Sequence, residues 1–97
     1  MAVTDVGDDG TASSDGTEVF SASARRSYLF VRCLTASPEP IVMTTEGTTP
    51  SATVGIRLAA GEAYERGRGD DPPSGAITVW SAGGAGTYYA IQSLSPI

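Results

Sequence analysis

The sequence predicts an all-β protein: a small antiparallel β-sandwich or barrel of about seven short strands with an extended N-terminal arm. Three observations lead there. From residue 17 onward apolar residues mostly recur with period two, and no window sustains an apolar repeat of 3.6. Gly and Pro clusters punctuate those runs at Pro38 and Pro40, Gly47 and Pro50, Gly61, "GRGDDPPSG" (67–75) and "AGGAG" (82–86). Residues 1–16, "MAVTDVGDDGTASSDG", offer only Val3 and Val6 as sizeable apolar groups beyond Met1, too little to offset the entropy of ordering on their own. The expected organisation is an acidic arm over residues 1–18 and one β domain over residues 19–97.

Taken in order, the strands are expected at 17–22, 27–35, 40–45, 52–58, 62–66, 75–81 and 86–92. In "TEVFSA" (17–22), Val19 and Phe20 supply the apolar groups, and "SYLFVRCLT" (27–35) is the strongest run. "PIVMTT" (40–45) opens on a proline, a tolerated first residue of a strand. "VGIRLAAGEAYER" (54–66) reads as a hairpin: Ile56 and Leu58 share one face, Arg57 the other, Gly61 supplies a positive φ, and Tyr64 re-enters the apolar face. "GAITVWS" and "GTYYAIQ" read as a closing hairpin. Ile77 and Val79 oppose Thr78 and Trp80, and Tyr88 opposes Tyr89 and Ile91. The intervening loop leaves the register of that pair open by one residue, and a slip would exchange the faces.

Charge and composition exclude several functions. Asp5, Asp8, Asp9, Asp15 and Glu18 precede any basic residue, and the six later acids are matched by six arginines, so the net charge of −5 belongs to the arm. With no lysine and no basic cluster, neither nucleic acid nor a membrane is an expected partner. There is no histidine, which removes the usual general base and the commonest zinc ligand. Cys33, the one cysteine, lies in phase with Leu29 and Val31 and reads as a core thiol, without an intrachain disulfide. The acidic arm half-follows a calcium-loop spacing through Asp5, Asp9 and Gly10, but Gly16 stands where the bidentate acid is required. Arg68-Gly69-Asp70 is read as a polar loop. No catalytic, cofactor or metal site is expected, and the chain is read as a non-enzyme. The N-terminus shows no basic or apolar signal region, which places its assembly in a reducing, cytosol-like space.

Surfaces remain. Strand 27–35 is apolar on both faces, with Tyr28, Phe30 and Leu34 on one and Leu29, Val31 and Cys33 on the other. A sandwich strand needs only one such face, so the second is expected to meet a partner. The residues singled out for partner binding are Val3, Val6, Val19 and Phe20 along the arm, together with Trp80 and Tyr88, aromatics of the type that anchor interfaces.

The succession "RRSYLFVRCLTASPEPIVMTT", "GIRLAAGEAYE", "PSGAITVWSAGGAGTYYAIQ" resembles small tailed-bacteriophage virion proteins of the capsid decoration or cement type. The likeness covers about residues 25–92, and Cys33 stands where such sequences often show Asn. It implies a capsid-exterior protein assembled in host cytoplasm. Its partner would be the major capsid protein, clamped by a homo-oligomer, dimer or trimer, with the arm buried on another chain. The alternative is a head- or tail-fibre or adaptor module binding a host surface molecule or another fibre protein, with loops 46–52 and 66–74 as the contact. A weaker one is a host-encoded adhesion module.

Overall fold

The computed structural model describes residues 4–67, 69 and 71–95, with the side chains of residues 4–6 and 8 outside the description. Among the described residues there is no helix. Eight strands follow in chain order: β1 (Thr4–Ala12), β2 (Thr17–Phe20), β3 (Arg26–Cys33), β4 (Ile41–Thr44), β5 (Ile56–Leu58), β6 (Ala63–Arg66), β7 (Ile77–Trp80) and β8 (Gly86–Leu94). Two antiparallel four-stranded sheets result, ordered β1-β8-β3-β6 and β2-β7-β4-β5. Every consecutive pair of strands changes sheet except β4 and β5. Eight strands wound through two sheets in that order form a jelly roll. The expected antiparallel sandwich is therefore the observed fold.

Three expectations are corrected. Residues 4–12, assigned to an arm, form an edge strand paired with β8 from Thr4↔Leu94 to Ala12↔Gly86, and the boundary at residue 18 would cut β2. Local composition argues against strand there, but the free edge of β8 offers a full ladder of backbone partners, and pairing outweighs propensity. The Tyr88 ring packs across Gly10 at ordinary contact distance, a Cβ there lying 3.6 Å from its hydroxyl. Secondly, residues 56–66 are not a hairpin. β5 pairs with β4 and β6 with β3, so the Ala59–Glu62 turn carries the chain from one sheet to the other. Gly61 does take φ 86°, and the turn is closed by Glu62 N–H donating to the Ala59 carbonyl (2.8 Å). Thirdly, β7 and β8 lie in different sheets and form no closing hairpin.

The core lies between the sheets. Leu29, Val31, Cys33, Tyr88 and Ala90 from one layer meet Ile41, Met43, Leu58, Ile77, Val79 and Phe20 from the other, with Val19 and Tyr64 packed at the margin. Period-two alternation predicts this set. All four residues of β4 are buried, including the outward-facing Val42 and Thr44. The chain at Gly55 accounts for this, because it approaches β4 so closely that a Cβ there would sit 2.6 Å from Val42 Cγ1. Its φ of 126° further restricts the position to glycine.

One polar group is built into the end of the core. Arg26 is 6% exposed. Its Nε donates to Gln92 Oε1 (2.8 Å), Nη1 to the carbonyls of Pro73 (2.6 Å) and Gly75 (3.0 Å), and Nη2 to the carbonyl of Ser21 (2.9 Å). Burial lowers its pKa from the ordinary arginine value, while these neutral acceptors satisfy the cation. Arg26→Met should therefore leave the buried Gln92 oxygen and three part-buried carbonyls without their donor, cost about 3 kcal/mol, and lower the melting temperature by roughly 12 °C or more. Thermal unfolding followed by circular dichroism measures it. Cys33, fully buried, should react with a thiol reagent only at the rate of unfolding.

Candidate docking surface

The outer face of the β1-β8-β3-β6 sheet carries large apolar groups that the core does not use, while exposed Val54 and Ile56 lie at β5 of the other sheet. Alternation on β3 sends Leu29, Val31 and Cys33 inward, leaving Tyr28 and Phe30 half-buried and Arg32 exposed on the other side. On β8, Tyr88, Ala90 and Gln92 point inward, Ile91 is half-buried outside, and Tyr89 is 40% exposed. The registers then assemble two rows across the sheet: Gly7–Ile91–Phe30–Glu65 and Asp9–Tyr89–Arg32–Ala63. Tyr28 adjoins the first row, its hydroxyl donating to the Glu65 carboxylate. The result is an aromatic and aliphatic stripe along the two central strands, with exposed Asp9 at one side and Arg32 beside it. The outer face of a solvated sheet is ordinarily polar.

The residues singled out by sequence are distributed differently. Val3 lies outside the described residues, and Val6 is described only by its backbone, paired with Gln92. Val19 sits at a register shift between Glu18 and Phe20 and packs half-buried against the core. Phe20 and Tyr88 are 5% and 2% exposed in the chain's own core, so neither is placed as a surface anchor. Phe20 faces inward because the shift reverses the simple alternation after Val19. Trp80 is half-buried on the outside of the other sheet, its Nε1 donating to the Ser14 carbonyl (2.7 Å). The stripe brings together Tyr28, Phe30, Tyr89 and Ile91. Their faces were readable from sequence, but without strand order nothing showed that β3 and β8 are neighbours.

Other features are structural. Arg68 and Asp70 of the tripeptide lie outside the described residues. Among the described residues no group of three His, Cys, Asp or Glu could hold a metal. A shallow hollow of about 250 Å³ beside Met43, Val54 and Ile56 marks the open margin of the sandwich. Glu39 Oε1 accepts from the N–H groups of Ala85 (3.2 Å) and Gly83 (2.8 Å) and fixes the turn between β7 and β8. Ser81 spends its hydroxyl proton on the Ala12 carbonyl (2.6 Å), tying that turn to β1.

No protein-family model matches the chain, and no curated protein matches it. Among solved structures, a Bacillus endospore appendage chain, from pili described as a novel family of disulfide-linked pili, superposes with a TM-score of 0.59. The match covers 98% of this chain and 88% of that one at 14% identity. What the two share is the fold.

The Glu39 contacts set a pH dependence. The Ala85 N–H foremost, with that of Gly83, holds its carboxyl below the usual value of 4.5. A folded pKa below the unfolded one means that stability is present above the ordinary carboxylate range and lost as pH falls through the folded value. Glu39→Ala should melt below the parent at pH 7, and the gap should close progressively below pH 4.5. Paired thermal melts across that range measure it.

Proposed function

We propose that this chain is a non-catalytic structural protein of a tailed-phage virion, a decoration or cement subunit that docks on major capsid subunits through the outer face of the β1-β8-β3-β6 sheet. The observation that carries the reading is the outward-facing stripe in which Phe30, Ile91 and Tyr28 are half-buried and Tyr89 is 40% exposed. Large apolar side chains on the outside of a small sandwich favour burial against a neighbour. Asp9 and Arg32 flank the stripe and would fix orientation more than affinity. Many equivalent sites on a shell make modest individual contacts sufficient.

The structural neighbour lends the reading a general support, since a chain of similar fold is described there as part of an appendage, a pilus. Its pili are described as disulfide-linked, whereas Cys33 here is buried and unavailable for a bond between copies unless the core opens. The fold alone assigns no role. With residues 4–12 belonging to the sheet, clamping by a detached arm is replaced by docking through a preformed face.

The test is cosedimentation of purified chain with undecorated capsids. Phe30→Glu combined with Tyr89→Glu should weaken capsid binding by about 100-fold, as two central contacts of ~1–2 kcal/mol each are lost, while melting stays near the parent. Full binding by that variant would dismiss the face. An intact variant that instead loses attachment to cells would favour the fibre or adaptor reading.

A further inference from the structure

The outer face of the second sheet holds a half-enclosed hollow of about 170 Å³ that the docking face does not involve. The ladder builds it. Val42 pairs with Trp80 on one side and Arg57 on the other, so one row runs Arg57–Val42–Trp80 across β5, β4 and β7. At roughly 4.8 Å between strands, the two long side chains rise about 10 Å apart over a floor of Val42. Pro40, Ala52 and Ala82 narrow the opening, and Glu39 stands at the rim.

Each wall has a defined chemistry. The Trp80 indole is oriented by its bond to the Ser14 carbonyl, which consumes its only donor and leaves the ring for stacking. The Glu39 carboxylate is held by the 82–85 turn. Arg57 is exposed, and among the described residues its guanidinium has no protein partner. The hollow thus combines an aromatic platform, a multiple donor and a fixed acceptor, and its two formal charges cancel.

We propose that this hollow is a glycan site, taking one neutral pyranose ring whose C–H face stacks on Trp80 and whose hydroxyls are shared between Arg57 and Glu39. A hydroxyl both donates and accepts, which suits a rim carrying one group of each kind. Cancelling charges disfavour phosphate or carboxylate ligands, for which Glu39 would be repulsive. The volume suits a single ring and falls below the ~300 Å³ of drug-sized pockets. Because the hollow lies on the layer opposite the docking face, a subunit seated on a shell would present it outward.

Trp80 is the chain's one tryptophan, so its emission reports the site directly. The intact chain is titrated with methyl glycosides of glucose, galactose, mannose and N-acetylglucosamine. At least one should give a saturable change with a dissociation constant in the ~mM range. Arg57→Ala should weaken it by about tenfold or more through loss of charge-assisted bonds, and Ala52→Phe should abolish it by filling the hollow. Both substitutions are at exposed positions, and unchanged melting curves establish that the fold persists. The proposal is overturned if no glycoside shifts the emission, if the response survives both substitutions, or if a proline-rich peptide binds there and sugars do not. Phe30→Glu with Tyr89→Glu should leave the titration unchanged, which separates this site from the docking face.

Discussion

The guanidinium of Arg26 is the contact on which the geometry of this sandwich most depends. Its acceptors lie on both sheets: Ser21 just after β2 and Pro73 and Gly75 leading into its neighbour β7 in one, and Gln92 of β8 in the other. A buried carbonyl outside a sheet needs a donor from elsewhere, and here one planar side chain supplies several. Around it Ser23 N–H donates to the Ser74 carbonyl and Ser95 N–H to the Arg25 carbonyl, so the loops at this end are bound together. The register also shifts between Arg26 and Tyr28. That extra residue lets Arg26 point inward while Tyr28 joins Phe30 outside. The aromatic stripe thus owes its first member to the irregularity that seats the arginine.

Much of the fold was legible because alternation is a local property. Leu29, Val31, Ile77 and Val79 are inward as their spacing requires, and Gly61 has the positive φ its turn position demands. What failed was non-local. Gly7, Asp8, Asp9 and Gly10 have poor strand propensity, and only the presence of β8 beside them makes a strand of them. The acids then serve an edge well, since charge discourages further strand addition. Adjacent strands read as hairpins were assigned to opposite sheets, because a short turn can close a ladder or round a corner with the same residues. Arg25 and Arg26 are equivalent in sequence, yet one is exposed and the other buried.

The same limit governed the sites. Trp80 was singled out as an anchor and does stand on an outer face, but Arg57 and Glu39, which line the same hollow, come from strands and loops that only topology brings near. Phe20 was expected to be covered by another chain and Tyr88 to anchor an interface, and both proved to be core. Aromatic identity shows that a residue will be covered, and the sheet order decides by what. The two outer faces are separated by a single layer of interleaved side chains, about 10 Å thick. They can therefore evolve as independent surfaces on one support.

The pairing of Thr4 with Leu94 has a temporal consequence. The sheet cannot close until residues 4 to 94 have all left the ribosome, because β1 waits for β8. Only β4 and β5 are sequence neighbours within a sheet, so almost no ladder forms by local zippering. High contact order slows such chains to the millisecond-to-second range. Until then the greasy faces of the β3 and β7 segments stand open together, and nascent molecules at high concentration compete between maturation and aggregation.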